Sequence, residues 1–198
     1  MLCLIWDMTT RCSVKLAMKD KFHEVVKMVL SDKVKELISE MAEEVREVYG
    51  ITTPIVNIKQ IVRNIGGDII EKNNSYYECK LRRTSKIRFV IEIPMDRSEG
   101  AKNFLIAHEL GHLFLHLGFG TKLWEEQFGE YDNKNTYYDH QANEFAYSFL
   151  MPKQEYKIIM DKYTNGNQVN TKKIAEYFNV AVDAASSRGK RLGYLEWW

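Results

Sequence analysis

The segment "HELGHLFLH", residues 108 to 116, constrains this chain more than any other. It sits inside "DRSEGAKNFLIAHELGHLFLHLGFG", which opens on a helix cap at Asp96 or Ser98 and runs apolar nearly all round through Leu117. Gly118 and Gly120 then stop it, so the pattern predicts a buried central helix. A buried helix should hold few ionisable groups, because an unpaired charge there is costly. His108, Glu109, His112 and His116 therefore call for an explanation beyond packing.

The spacing supplies one. A single helical turn carries the ring of His112 onto the face of His108, about 6 Å further along the axis, so two imidazole nitrogens can converge on one Zn2+. Glu109 lies about 100° round the helix, off the ligand pair but placed to take a proton from a metal-bound water. A random chain of this composition holds such a motif roughly one time in a hundred, so its surroundings must be weighed too. On a continuous helix His116 lies about 12 Å from His108, too far to share an ion whose ligands are all about 2 Å away. It is expected instead to bond carbonyls at the helix end.

The third ligand should come from a second element, and "YYDHQANEFAYSFLMP", residues 137 to 152, is the candidate. Ala142, Phe145, Ala146, Phe149 and Leu150 form one helical stripe, closed near Met151 by Pro152. With Ala142 at zero, Asp139 falls at about 60° and shares the stripe, whereas Glu144 falls at about 200° and is expected at the surface. His140 and Gln141 point elsewhere in this register. Asp139 is the expected third ligand; the alternative is a helix-start acid stabilised by the dipole. Tyr138, at about −40°, is a candidate oxyanion donor, against the simpler reading of a packing ring.

The rest of the chain sets the frame. Its 198 residues suit one compact domain with a real core. Lys+Arg 28 against Asp+Glu 27 leaves a net charge of +1, so no global field points to nucleic acid or a membrane. No segment approaches the roughly 20 apolar residues of a membrane span. Cys3, Cys12 and Cys79 are an odd number with no C-x-x-C pair, which argues against a disulfide scaffold and fits reduced thiols in a cytoplasm. Residues 1–17 lack the marks of a signal peptide and read as an N-terminal extension, followed by a core over 18–165 and a C-terminal helical segment over 166–198.

Apolar residues from Phe22 to Tyr49 recur at helical steps, predicting one long amphipathic helix, or two with a joint near Ser31, closed by Gly50. "IKQIVRNI" predicts a short helix ended by Gly66 and Gly67. The period then changes to two. Ile87, Phe89, Ile91 and Ile93 alternate with Lys86, Arg88 and Glu92 in a half-buried strand stopped by Pro94, with another strand over Tyr76 to Arg82. Lys80, Arg82, Lys86 and Arg88 form a basic ladder, read as a solvated edge in preference to a substrate or nucleic-acid contact. "TKKIAEYFNVAVDAASSRGKRLGY" has a helix-turn-helix outline ending in Arg188, Lys190 and Arg191. Its groove-facing positions would be Ala181, Asp183 and Ala184, which are poor base readers, so a helical cap on the core is expected ahead of DNA binding.

Together, "FLIAHELGHLFLH" and "HQANEFAYSFLMP" resemble the ImmA/IrrE family of zinc metallopeptidases, in which an H-E-x-x-H helix is followed by a helix with an acid before A-N-x-F-A and a closing L-M-P. The layout upstream and downstream is similar as well, over about residues 34–195. The resemblance implies an α+β fold with a zincin-like core, a small β-sheet packed on helices and a C-terminal helix-turn-helix-like subdomain. It implies a Zn2+ held by His108, His112 and the acid of the second helix, with Glu109 as catalytic base. The family usually has glutamate where this chain has Asp139; aspartate is one methylene shorter, so the two helices must approach more closely or hold the metal less well. Related folds bind substrate backbone along a sheet edge, which makes Lys86, Arg88 and Val90 candidate substrate-binding positions through strand addition. The implied activity is limited proteolysis of a protein substrate, commonly a helix-turn-helix transcriptional repressor of a mobile element or stress response. The runner-up is a non-catalytic regulator that binds a partner protein or DNA, against which the intact Glu109 argues.

Overall fold

The computed structural model describes residues 31–73, 79–85, 87–126, 129–131 and 136–196. The expected N-terminal extension, the first turns of the helix expected from Phe22, the start of the strand expected at Tyr76, and Lys86 lie outside the described residues.

The expected joint at Ser31 is where the described helix α1 (Asp32–Val48) begins, with the Ser31 hydroxyl accepting from the Val34 amide at 3.4 Å. Its end is closed by Gly50 at φ 61°, with the Ile51 amide bonded to the Arg46 carbonyl at 2.8 Å and the Gly50 amide to that of Glu47 at 3.2 Å. Those paired bonds satisfy carbonyls that the helix itself leaves over, and the left-handed residue between them favours glycine. The short helix α2 (Ile58–Ile65) leads through Gly66 into the sheet.

Strands β1 (Gly67–Lys72), β2 (Lys80–Ser85), β3 (Arg88–Pro94) and β4 (Gly129–Tyr131) form one sheet in the order β1-β3-β2-β4. β1 and β3 run parallel, and the other pairs are antiparallel. Period two marked Phe89, Ile91 and Ile93 correctly as buried, but Val90 and Glu92 are buried too and Ile87 is 74% exposed. The reason is position: β3 is interior to the sheet, and a strand covered on both faces loses its alternation. Val90 pairs with Asp68 on one side and Arg82 on the other. Val90, paired on both sides, offers no open edge for strand addition, whereas Arg88 has a register partner only in Ser85 of β2. Of the basic ladder's described members, Arg82 is no edge residue either, since it pairs with Val90 and Glu130. Within it Arg82, with Lys72 of β1, lies against the buried Glu92 carboxylate at 3.1 and 3.9 Å.

Helix α3 (Glu99–Gly111) packs beneath β3 and continues into a π-helical turn, His112–His116. The short helix α4 (Lys122–Glu126) precedes β4, and α5 (Thr136–Leu150) lies against α3 on one side and α1 on the other. The chain is thus α+β, with its core formed where the sheet, α3, α5 and α1 meet around Ile91, Ile106, Leu110, Phe145 and Phe149.

Helix α6 (Lys153–Lys162), the hairpin of β5 (Thr164–Asn165) and β6 (Gln168–Val169), α7 (Thr171–Phe178) and α8 (Val182–Arg191) complete the chain. The α7–α8 turn rests on the start of α3, where the Asn103 amide donates to the Asn179 carbonyl at 2.8 Å. Arg188 is 2% exposed, donates to the Met151 carbonyl at 3.0 Å, and lies 3.4 Å from Glu144, which Arg191 also reaches at 2.9 Å. Glu144, expected at the surface, is buried because α8 covers the face of α5 opposite its apolar stripe. Arg188 cannot reach a phosphate from there, which removes one of the basic residues that a DNA-reading α8 would need. Among the described residues no helix is long and apolar enough to cross a membrane.

Candidate metal centre

The Ser98 hydroxyl caps α3 by accepting from the Ala101 amide at 3.3 Å, and three turns later the helix delivers His108 and Glu109. From His112 the bonding lengthens by one residue: the Leu117 amide reaches back to the His112 carbonyl at 3.1 Å. Side chains four residues apart remain neighbours through this turn: the His112 and His116 ring centroids stand 5.0 Å apart, against 4.7 Å for His108 and His112 on the α-helical stretch before it.

His108 Nε2 and His112 Nε2 are 3.0 Å apart, and Asp139 Oδ1 lies 3.3 Å from His112 Nε2 and 3.9 Å from His108 Nε2. A tetrahedral ion with bonds of ~2.0 Å spaces its ligands by roughly 3.3 Å, so these three atoms fit one metal. The bonds on the far sides of the rings fit it too. The Asn143 side-chain oxygen can only accept, so His108 Nδ1, 2.9 Å away, donates to it and the Nε2 lone pair faces the centre. Likewise the Gln141 oxygen accepts from His116 Nε2 at 2.9 Å, which makes His116 Nδ1 an acceptor for His112 Nδ1–H at 2.8 Å. Both ligand rings are thereby held in one tautomer. Two lone pairs facing each other at 3.0 Å beside a carboxylate oxygen repel unless a cation lies among them.

Electrostatics agree with that assignment. Burial, then the charges of His108 and His116, pushes His112 down to about 2; burial lowers His108 and takes His116 down to about 4. All three rings are neutral, as ligation requires. Glu109, 5% exposed, is pushed up to about 8 by burial first and by the Asp139 charge second. Cys79, half-buried, is pushed up to about 12 by burial and by Glu109, so it stays a thiol.

The shorter acid is accommodated by the backbone. A Cβ placed on Gly111 would lie 2.9 Å from the Ala142 Cα and 3.0 Å from its carbonyl oxygen, so only glycine lets α3 and α5 approach this closely. Across that contact Asp139 Oδ1 reaches to 3.3 Å from His112 Nε2.

His108, Glu109, His112 and Asp139 thus meet as the spacing predicts. Three other expectations are corrected or sharpened. His116 is buried and bonds His112 and Gln141 instead of terminal carbonyls, because the four-residue step sets it beside the His112 ring and α5 supplies Gln141 on its far side. Gln141, expected to point away, is wholly buried as its partner. Tyr138 stacks on His116 with centroids 4.5 Å apart and planes 21° apart, a packing position behind the ligand ring. Sequence reasoning missed Asn143, although its place one turn after Asp139 on the same face was available.

A helix with two histidines and a glutamate, a second helix supplying an acid, and an α+β frame define a candidate metal-dependent hydrolase. Residues 68–189 match the model of the peptidase family described as the IrrE N-terminal-like domain, and the chain belongs to that family. No curated protein sequence matches it. Among solved structures, a Mycobacterium tuberculosis transcriptional regulator is similar at 17% identity and a TM-score of 0.42, over 89% of this chain and 46% of that one. The chain thus spans under half the length of that relative.

Proposed function

We propose that the chain is a zinc-dependent endopeptidase with a zincin-like core, which cuts a partner protein in the cytoplasm by limited, regulatory proteolysis. The observation that carries this reading is the convergence of His108 Nε2, His112 Nε2 and Asp139 Oδ1 beside a buried carboxyl that is not part of the ligand set. Zn2+ held there would acidify a water molecule toward ~7 and polarise the scissile carbonyl. Glu109 takes the proton from the attacking water and passes it to the leaving amine. Its raised affinity for a proton, a consequence of burial, suits both halves of that task. His116 with Gln141, and Asn143, hold the two ligand rings in place while this happens. The family resemblance supports a helix-turn-helix transcriptional repressor as the substrate.

The test is zinc content and cleavage together. Wild type and Glu109→Gln should each bind near one equivalent of zinc, Asp139→Ala should lose it, and Glu109→Gln should fail to cut the physiological partner. Equal biological activity of Glu109→Gln would sink the peptidase reading in favour of a non-catalytic regulator.

A further inference from the structure

A cleft of about 490 Å³ opens beside the metal centre, and the structure ties it to the reaction by helix geometry. Phe104 and Leu105 form part of its lining, and each lies four residues before a member of the centre, His108 and Glu109 respectively. On α3 that is one turn, about 6 Å, which is the length of roughly two residues of extended peptide. The second helix runs the same way. Asp139, Asn143 and Tyr147 succeed one another at four-residue steps on α5; the first two touch the ligand rings, and Tyr147 lines the cleft, its ring 4.9 Å from that of Phe104. On both helices, therefore, the cleft's lining begins one turn from the residues of the metal centre.

Its far wall is unexpected. Ala184 and Ser187 of α8 complete it, so the C-terminal helix, held by the buried Arg188–Glu144 pair, is a wall of this cavity. The lining is mostly apolar, with the exposed Arg97 and Asp183 at the mouth. The volume is in the range of ligand pockets, about 300–1,000 Å³, and mostly apolar lining with few polar groups selects apolar groups.

We propose that this cleft is the side-chain subsite of the metal centre, taking a bulky aliphatic or aromatic residue of the substrate within two positions of the bond to be cut, with α8 setting the size it accepts. The proposal rests on the endopeptidase reading for its substrate, but the subsite is tested without catalysis. The occupant is an apolar peptide side chain because the cleft lies one turn from the metal centre on both helices and its lining is mostly apolar.

The experiment uses the zinc-loaded full chain and two peptide-like hydroxamates that share one zinc-binding group and differ only in bearing an isobutyl group or a hydrogen. Wild type should bind the isobutyl compound at least about tenfold more tightly, as burial of four carbons requires. Ser187→Trp, which fills the cleft from α8, should bring that ratio near one with affinity for the hydrogen compound unchanged. Ala101→Trp, filling it from α3, provides the same reading if the first variant does not fold. Equal affinity of wild type for both compounds, or an undiminished preference in a folded variant with full zinc content, overturns the subsite. Failure of the endopeptidase reading shows differently: the isobutyl preference and its loss in Ser187→Trp remain, while no protein or peptide is cut.

Discussion

Replacing His116 with Phe tests the tautomer chain behind the metal centre. Phenylalanine keeps the ring that stacks on Tyr138 but cannot accept the His112 Nδ1–H bond, 2.8 Å long in a residue only 4% exposed. Without zinc, the His112 ring of the variant escapes this loss by moving its proton to Nε2, where His108 Nε2 stands 3.0 Å away as an acceptor. Zinc binding must then reverse that shift, breaking one hydrogen bond and returning the Nδ1–H to a position from which its His116 acceptor has been removed. Those costs come to about 1–3 kcal/mol, so zinc affinity should fall roughly 10- to 100-fold. His116→Gln, which restores an acceptor oxygen, should recover most of it. Competition for zinc against a fluorescent chelator reads the affinity, and a thermal melt in chelator reports whether the fold survives. A folded His116→Phe within twofold of wild type would refute the relay and reduce His116 to a packing residue.

Two further outcomes follow from buried charge. In the metal-free chain the raised Glu109 makes the folded state hold a proton that the unfolded chain releases, so its contribution is full below 4.5 and is lost as pH rises through about 8. His112 and His116 act oppositely: their stability is present above 6.5 and is lost as pH falls. Thermal melts in chelator should therefore show Glu109→Gln gaining on wild type as pH rises from about 5 to about 9, by up to roughly 4 kcal/mol; a pH-independent difference would contradict the burial. Arg188→Met strands the Glu144 carboxylate with Arg191 alone and should cost about 3 kcal/mol by chemical denaturation, whereas a loss below about 1 kcal/mol would show α8 to be held by packing only.

What could be read from the amino acids alone was what repeats along one helix. Ser98, the apolar run after it and the four-residue step from His108 to His112 are local, and a helical wheel sufficed to turn Asp139 toward the two rings and Glu144 away from them. The same wheel misplaced Glu144 at the surface, since it assumes one buried stripe while α8 buries a second, and nothing within residues 137 to 152 announces a helix that arrives some 30 residues later. Strand pairing was illegible for a related reason. Alternation identifies the inner face of β3, but its neighbours depend on β1 entering parallel beside it, a contact between distant segments.

The π-turn was hidden differently. An ideal helix puts His116 too far from His108 to share an ion with it; what fails is the assumption that such a residue has no part in the site. The four-residue step from His112, together with Gln141 on α5, makes His116 the partner that fixes the tautomer of His112. Gly111 works in the same region by subtraction, since its missing Cβ sets the distance between α3 and α5. Asp139 and His116 are thus answers to one geometric problem. The closer packing that Gly111 permits lets the shorter acid face both ligand rings, and it also brings Gln141 of α5 within 2.9 Å of the ring that α3 carries just beyond them. A change that spreads the helices should therefore weaken both sides of the centre at once, the ligand from α5 and the hydrogen-bonded support behind His112.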